Sequence, residues 1–322
     1  MSALWNIGAA VLTALPAICR IAWDLKWHGA LQRESQVHKT APTPPAVSTP
    51  PAGIRPPGLD GITLIVCSHN DLPLLQSNWD LWRGQQFPDH WSVEWLVVDD
   101  GSEDGTAEWL APLAANDAQL TVVRHSKTRP GKKDALAAGI MAARHECLVL
   151  TDADCKPQPH WARGMVEALT AETAENAPHR WDIALGVCLP DGGPALLTFD
   201  ALRVAFQYAG EAAAGRPYMG VGRNIAYRRS AWESLGGFDA HADLASGDDD
   251  LFVQDAVHAG MQIRLVYPSH ESASNHVLPS PAWKDGWLRK RRHLATAGRY
   301  GWGTWCLLGL DATLDPLIVA AA

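Results

Sequence analysis

The chain has 322 residues, of which 47% are hydrophobic and 19% charged, and its formal net charge is -8. This composition is typical of a folded globular protein and excludes a disordered chain. The negative charge argues against a nucleic-acid partner, because proteins that bind the phosphate backbone normally carry a basic excess. Six cysteines are scattered without zinc-type spacing, so we expect reduced thiols in a cytosol.

The N-terminal segment is mostly apolar over residues 3–23, which is roughly the ~20 residues that a spanning helix needs. Asn6, Pro16 and Arg20 interrupt it, so a transmembrane helix and a helix lying on the membrane both remain open. We therefore predict a membrane-anchoring or membrane-lying helix within 1–39. Basic residues follow it, and the positive-inside tendency then puts the rest of the chain at the cytoplasmic face of an inner membrane.

Three further regions follow from composition. Residues 40–60 are crowded with proline and predict an extended linker. Residues 61–300 contain the alternating patterns of a folded domain, which we expect to be the catalytic one. Residues 301–322 become apolar again, which predicts a second segment in contact with the membrane.

Short β-branched apolar runs alternate with helical patterns in the first half of the folded domain. This alternation predicts βαβ units in an α/β fold with a mostly parallel sheet flanked by helices. In such sheets ligands bind beyond the carboxyl ends of the strands. The predicted strands are Ile62–Cys67, Val93–Val98, Leu120–Arg124 and Cys147–Leu150, and the predicted helices are Leu74–Arg83, Thr106–Ala114 and Lys132–Arg144.

Polar residues follow the first two predicted strands. Ser68, Asn70 and Asp71 come after the first, and Asp99 and Asp100 come after the second. Two polar clusters at consecutive strand ends predict a nucleotide pocket. The simpler alternative for the Asp-Asp-Gly-Ser stretch is a turn that caps a helix.

Asp152 and Asp154 follow the fourth predicted strand, two residues apart. If the backbone turns between them, both carboxylates can reach one divalent cation, and such hard oxygen ligands favour Mg²⁺ or Mn²⁺. Lys132 begins the third predicted helix, and a helix start attracts anions. An ordinary capped surface helix is the alternative there.

The densest acidic feature is Asp248, Asp249 and Asp250. Three adjacent carboxylates repel one another, so at least one is expected to have a raised pKa or a cationic or hydroxyl neighbour. The alternative is a solvated first turn of a helix, where acids are favoured. A glycine-rich bend containing Gly222, Arg223 and Asn224 precedes this triplet in the chain.

A basic run near the end of the domain contains Arg289, Arg292 and His293. It predicts either a cationic clamp for a diphosphate or a helix that lies on anionic lipid. Both roles can hold at once.

Taken in order, these motifs resemble glycosyltransferase family 2 over roughly residues 62–300. Val97–Thr106 closely follows the family's Val-Asp-Asp-Gly-Ser-x-Asp-Gly-Thr motif. Gly131-Lys132 resembles its Gly-Lys before a helix, and Asp152-Ala153-Asp154 resembles its metal motif. Asp248-Asp249-Asp250 stands where members carry a catalytic acidic pair. The resemblance implies a Rossmann-like GT-A fold and inverting transfer from a nucleotide-diphosphate sugar.

The resemblance also implies roles for individual residues. Asp71 and Asp100, with Asp99, would hold the nucleobase and ribose. The metal and diphosphate would be bound at Asp152 and Asp154. Asp249 or its neighbour Asp248 would be the general base, since a carboxylate in a partly desolvated cleft suits that role. Gly222, Arg223 and Asn224 would lie on the acceptor side.

One departure bears on the product. Membrane-bound members often carry Gln-x-x-Arg-Trp after the base, whereas this chain has Arg289-Lys290-Arg291-Arg292-His293 at a similar place. By this resemblance Arg292 would keep the diphosphate contact, but the missing Gln and Trp argue against processive polymer synthesis. We therefore expect transfer of one sugar to a lipid-linked or other membrane-associated acceptor. A processive synthase and an inactive nucleotide-sugar-binding module are the alternatives.

Overall fold

The computed structural model describes residues 61–128, 131–171, 181–267, 273–276, 295–306 and 308. The predictions for residues 1–39 and 40–60, for most of the apolar C-terminal segment and for Arg289, Arg292 and His293 lie outside these ranges. In the described part of the chain, no helix combines the length and the apolar character needed to cross a bilayer.

The fold is α/β, with a seven-stranded sheet in the order β3-β2-β1-β4-β8-β6-β9 and a three-stranded sheet in the order β5-β10-β7. The strands are β1 Gly61–Ser68, β2 Ser92–Asp100, β3 Leu120–His125, β4 Cys147–Asp152, β5 Cys155–Pro157, β6 Ile183–Gly186, β7 Cys188–Pro190, β8 Ile225–Arg228, β9 Ile263–Val266 and β10 Ser274–His276. The α-helices are α1 Leu72–Arg83, α2 Thr106–Ala115, α3 Lys133–Ala142, α4 Trp161–Thr170, α5 Ala195–Ala213, α6 Arg229–Ser234 and α7 Asp250–His258.

The main sheet is mostly parallel, as predicted. Strands β3, β2, β1 and β4 all run in one direction, and β6 pairs with β9 in parallel. Strand β8 runs antiparallel to both of its neighbours, β4 and β6. All seven elements predicted between residues 62 and 144 and at 147–150 are confirmed, with ends shifted by at most two residues. The three-stranded sheet was not predicted, because strands of three residues carry too little pattern.

Two hydrophobic layers cover the sheet. Successive side chains of a strand point to opposite faces, so Leu64 and Ile65 of β1 lie in different core clusters. Helices α1, α2 and α4 pack on the Leu64 side, and α3, α5, α6 and α7 pack on the Ile65 side. Burial on both faces explains why the central strands read as nearly continuous apolar runs.

The cysteines of the described residues are free and form no disulfide with one another. They are Cys67, Cys147, Cys155, Cys188 and Cys306.

Candidate active site

The carboxyl ends of β1, β2 and β4 meet at one edge of the main sheet. Ser68 of β1 pairs with Asp99 of β2, and Cys67 pairs with Asp152 of β4. Because neighbouring parallel strands end together, the polar residues that follow them share this edge. The predicted gathering of strand-end residues is therefore confirmed.

The loops after β1 and β2 are tied together by hydrogen bonds. The Asn70 backbone N–H donates to Ser102 Oγ at 3.0 Å, and Asn70 Oδ1 accepts from the Glu103 N–H at 2.8 Å. Asp104 Oδ2 accepts from the Leu72 N–H at 2.8 Å. Asn70 has a φ of 58°, a left-handed conformation that asparagine tolerates better than most residues. Asn70 thus shapes the loop through both its backbone and its amide.

The predicted donor residues of these loops have different surroundings. Asp71 is half-buried, and burial raises the pKa of its carboxyl. Ser68 is 1% exposed, and its hydroxyl has no hydrogen-bond partner among the residues that the structure describes. Asp99 is also 1% exposed, and its Oδ1 accepts from the Ser102 N–H at 2.9 Å. Asp99 Oδ1 therefore closes the turn after β2, but Asp99 does not cap the helix that follows, whose N-cap is Gly105.

Asp100 belongs to an internal network and not to the open edge. It is 2% exposed, its Oδ1 lies 2.9 Å from His125 Nδ1, and its Oδ2 lies 2.9 Å from Lys127 Nζ. His125 Nε2 lies 3.8 Å from Asp134 Oδ2 on α3. Three possible metal ligands therefore lie together here. Asp100, His125 and Asp134 each offer one ligand atom, and these three atoms lie within 4.8 Å of one another, close enough to hold a metal ion.

In this structure the positive charge beside Asp100 is the Lys127 ammonium. The Asp100 carboxylate is thus paired with His125 and Lys127, whereas Asp99 Oδ2 accepts no hydrogen bond from the residues that the structure describes. The donor-binding roles of Asp99 and Asp100 stay predictions.

Lys132 brings together acids that are far apart in the chain. Its Nζ lies 2.9 Å from Asp152 Oδ1 and 3.2 Å from Asp248 Oδ2. Burial alone would disfavour the ammonium, but the carboxylates of Asp152, Asp248 and Asp249 outweigh it and raise the pKa of Lys132. These carboxylates therefore favour the charged form of Lys132 at the edge of the sheet, next to the N-terminus of α3.

The three acids of the triplet have three different sets of partners. Asp248 is 8% exposed and contacts Lys132. Asp249 accepts from the Gly222 N–H through Oδ2 at 2.9 Å and from the Asp250 N–H through Oδ1 at 2.8 Å. Asp250 Oδ2 accepts from the hydroxyls of Thr296 and Tyr300. The triplet is therefore not a uniform solvated helix turn, although Asp249 does cap α7.

Burial is the main cause that raises the pKa of Asp248 and of Asp249. For Asp249 the neighbouring Asp250 carboxylate raises the pKa further, while Lys132 and the two backbone donors lower it. A carboxylate with a raised pKa at a partly exposed position is suited to accept a proton.

The glycine-rich bend before β8 supplies the remaining wall. A Cβ added to Gly222 would lie 3.0 Å from Lys132 Nζ and 3.2 Å from Asp248 Oδ2, so a side chain there would crowd the charged cluster. Arg223 lies nearby: burial opposes its charge, but neighbouring groups, among them Asp152 and Asp154, raise its pKa. Both residues thus border the edge that Asp152 occupies.

Asn224 does not face this edge. It is 3% exposed, its Oδ1 accepts from Trp161 Nε1 at 2.9 Å, and its Nδ2 donates to the Val187 carbonyl at 3.1 Å. The amide therefore holds β8 against α4 and the segment after β6. The predicted acceptor-side role of its side chain is corrected to a structural one.

The residues on either side of Lys132 hold the acidic loop, a contact that the sequence did not predict. Lys133 is 6% exposed and donates to the carbonyls of His241 and Ser246. A Cβ added to Gly131 would lie 2.1 Å from the Ala245 carbonyl oxygen. Gly131 and Lys133 thus fix the loop that leads into Asp248, while Lys132 contacts Asp248 itself.

We predict that Gly131→Ala destabilises the protein by about 1–3 kcal/mol and strongly reduces turnover. Gly131 has a φ of 92°, and the added methyl group cannot fit against Ala245 without moving the loop. Urea unfolding and initial rates measure the two effects. Gly215→Ala is the matched control, because Gly215 has a φ of 77° but open space around a Cβ. Equal effects of the two variants on turnover would contradict the proposed contact.

The fold and the acidic edge of the sheet define a protein of the GT-A class. The chain belongs to glycosyl transferase family 2, whose model matches residues 63–234.

Three similar proteins give the range of resemblance. The glycosyltransferase AglE of Haloferax volcanii is 22% identical over 206 residues, which cover 64% of this chain and 64% of that protein. The undecaprenyl-phosphate mannosyltransferase of Micrococcus luteus is 38% identical over 77 residues, covering 23% of this chain and 31% of that protein. The chain thus spans less than two thirds of the length of either relative.

The third is a solved structure, the mannosyltransferase PcManGT from Pyrobaculum calidifontis in complex with GDP-Man and Mn²⁺. It matches with a TM-score of 0.64 and 23% identity, covering 97% of this chain and 84% of that chain. At this identity the match supports the GT-A fold alone.

Proposed function

We propose that this protein is an inverting glycosyltransferase that moves one sugar from a nucleotide-diphosphate donor to a hydroxyl of a lipid-linked or other membrane-associated acceptor. The observation that carries the proposal is the convergence of Lys132, Asp152, Asp248 and Asp249, from three distant segments, at the carboxyl edge of the sheet. This edge is where α/β proteins bind nucleotides.

The basic and acidic residues of the site have different proposed roles. Lys132 and the start of α3 offer positive charge to the diphosphate of the donor. Asp249 takes the proton of the acceptor hydroxyl as its oxygen attacks the anomeric carbon. The bond between that carbon and the diphosphate breaks, the nucleoside diphosphate leaves with the electron pair, and the configuration inverts.

The family implies a divalent cation, and the residues present fit one. Asp152 and Asp154 supply carboxylate oxygens, the hard ligands of Mg²⁺ and Mn²⁺, and the Asp152 side chain is 34% exposed at the edge. When bound, the cation would add positive charge opposite the diphosphate. Asp71 remains the proposed contact to the nucleoside, since its carboxyl lies half-buried beside the same edge. The group formed by Asp100, His125 and Asp134 is a second place where a cation could bind.

The names of the relatives support a nucleotide-sugar donor and an acceptor carried by a membrane lipid, but not a hydroxyl as the attacking group, since one name specifies a lipid phosphate. PcManGT was solved with GDP-Man and Mn²⁺, and the Micrococcus luteus relative is a mannosyltransferase for undecaprenyl phosphate. We accordingly propose a membrane acceptor and a site at the cytoplasmic face of an inner membrane, where nucleotide sugars are made.

Nucleotide release from a panel of nucleotide sugars, with membrane lipids as acceptors, tests the proposal. We expect release that depends on one donor and on Mn²⁺ or Mg²⁺, that stops with chelator and that returns when metal is added. Asp152→Asn should lose this activity, whereas Asp191→Asn, an exposed acid paired with Lys156, should keep it.

The products separate the proposal from its rivals. Nuclear magnetic resonance of the product should show the inverted anomer, and retained configuration would contradict the mechanism. Long chains would indicate a processive synthase. Donor binding without release under every condition would indicate an inactive nucleotide-sugar-binding module.

A further inference from the structure

Residues 295–306 attach directly to the acid triplet. Thr296 is fully buried, and its hydroxyl donates to Asp250 Oδ2 at 2.5 Å. The Tyr300 hydroxyl donates to the same oxygen. Burial and then the Asp250 carboxylate raise the pKa of Tyr300, so its phenol stays protonated as a donor. One oxygen of Asp250 is therefore held by two hydroxyls of this segment.

Two further contacts fix the segment to the same part of the molecule. Arg299 Nη2 lies 2.7 Å from Asp243 Oδ2 in the loop before the triplet. The Gly301 N–H donates to Gln254 Oε1 on α7 at 3.3 Å. The segment is thus bound to both sides of the triplet, the loop before it and the helix after it.

The same segment presents two tryptophans to solvent. Residues 302–306 are helical, Trp302 is 78% exposed and Trp305 is 52% exposed. Their rings stack with centroids 5.7 Å apart and planes inclined by 13°. The two rings form one continuous apolar surface, hereafter the tryptophan pair. An exposed aromatic surface of this kind is characteristic of a contact site.

The chemistry around the tryptophan pair favours a lipid surface. Indole rings concentrate at the boundary between lipid and water, because the ring is apolar and its N–H is polar. In the sequence, the basic run Arg289–His293 precedes the pair, and the stretch Trp302–Ala322 contains only Asp311 and Asp315 as charged residues. Basic residues before the pair and apolar residues after it complement an anionic bilayer.

We infer that the tryptophan pair docks this protein on an anionic bilayer, and that Thr296 and Tyr300 link the docked segment to the acid triplet through Asp250. The inference rests on the proposed function in one respect, the catalytic role of the triplet. It adds that the acceptor reaches the triplet from the bilayer and that docking and the position of the acids depend on each other.

Docking is tested with the full chain and vesicles of phosphatidylglycerol mixed with phosphatidylcholine. The double variant Trp302→Ser with Trp305→Ser should bind at least tenfold more weakly, since a tenfold change corresponds to about 1.4 kcal/mol and a buried aromatic ring is worth at least that much. Met141→Ser is the matched control, because Met141 is 68% exposed on α3 and should leave vesicle binding unchanged.

Hydrogen exchange with and without vesicles reports on residues 302–306 directly. This measurement is therefore independent of any other segment that binds the membrane. We expect vesicles to protect the amides of residues 302–306 in the native chain and not in the double variant. Unchanged exchange in the native chain would overturn the inference. So would a dimer that forms without lipid and is lost in the double variant by analytical ultracentrifugation, because the pair would then be an interface between copies.

Tyr300→Phe tests the link to the triplet. It removes the hydroxyl but keeps the ring, so we expect kcat to fall about tenfold, the KM for the donor to stay the same and the acidic limb of the pH–rate profile to move. Vesicle binding should be retained, because both rings of the tryptophan pair are intact in this variant. An unchanged kcat and pH profile would reject the link. If no donor is turned over at all, the proposed function fails while the vesicle and exchange measurements still decide the docking.

Discussion

Asp249→Asn is expected to lower kcat by roughly 10²–10⁴-fold while the dissociation constant of the donor stays nearly the same. The variant keeps the size of the side chain but removes the carboxylate that we propose as the acceptor of the hydroxyl proton. Its two backbone donors, the N–H groups of Gly222 and Asp250, fix the carboxylate in place. Nucleotide release measures kcat, and titration calorimetry measures donor binding.

The pH dependence gives a second readout for the same variant. Because burial and Asp250 raise the pKa of Asp249, the base is protonated at pH values where an ordinary carboxyl is already ionised. The rate of the native protein should therefore rise with pH through this raised pKa, and that rise should be absent in the variant.

Two outcomes would contradict the role of Asp249. Retained turnover would remove it as the base and leave Asp248 to be tested in the same way. The second outcome is that the native protein is fully active on a lipid phosphate and that Asp249→Asn changes this activity little. It would also contradict the proposal, because an ionised phosphate needs no general base. Asp191→Asn serves as the control acid.

Lys132→Met is the second change with a large expected effect. It leaves Asp152, Asp248 and Asp249 without their shared cation, and it removes positive charge offered to the diphosphate. We expect donor affinity to fall at least tenfold and the free energy of unfolding to fall by about 1–3 kcal/mol. This is less than a fully buried pair would lose, because the Lys132 side chain is 33% exposed.

The pH dependence of stability follows from the same contacts. Lys132 lowers the pKa of Asp248 and Asp249 against the effect of burial, so its removal raises both values further above those of the unfolded chain. A carboxyl with a raised folded pKa stabilises the fold when protonated and loses that contribution as pH rises through the folded value. The variant should therefore lose stability with rising pH, from the unfolded carboxyl pKa up through the raised folded pKa, more steeply than the native protein.

Urea unfolding at a series of pH values measures this slope. Lys156→Met is the matched control, because Lys156 also pairs with an acid but both side chains are more than 40% exposed. An exposed pair contributes little, so this control should change stability by less than about 1 kcal/mol. Equal slopes for the two variants would show that Lys132 does not hold the acids together.

The strands and helices of the first half of the domain could be predicted from the sequence, because the hydrophobic patterns of strands and of helices are both local. Alternation of strand and helix patterns depends on neighbours within one element, so β1 to β4 and their helices were located correctly. The strand-end acids were then placed at one edge by topology alone. The antiparallel β8 could not be predicted, because four residues carry no mark of strand direction.

The roles of individual acids were harder to predict, because they depend on contacts between distant segments. Asp99 and Asp100 end a strand, as Asp152 does, yet the first two are buried by partners on β3 and the following turn. Lys132 and Lys133 are adjacent, and only the fold decides that one meets carboxylates and the other meets carbonyl oxygens. The sequence pattern therefore predicted where the polar side chains meet, but not which groups each of them contacts.

The antiparallel direction of β8 determines how the chain reaches the acidic edge of the sheet. Ile225, the first residue of β8, pairs with Leu150 near the end of β4, so the chain arrives at the edge just before β8 instead of just after it. The bend containing Gly222 and Arg223 therefore reaches the edge from the opposite direction to the loops after β1, β2 and β4. The acidic edge is therefore enclosed from two sides, by loops that leave the sheet and by one bend that enters it. Changes in the length of that bend should disturb Lys132 and Asp249 together, because Gly222 contacts both residues.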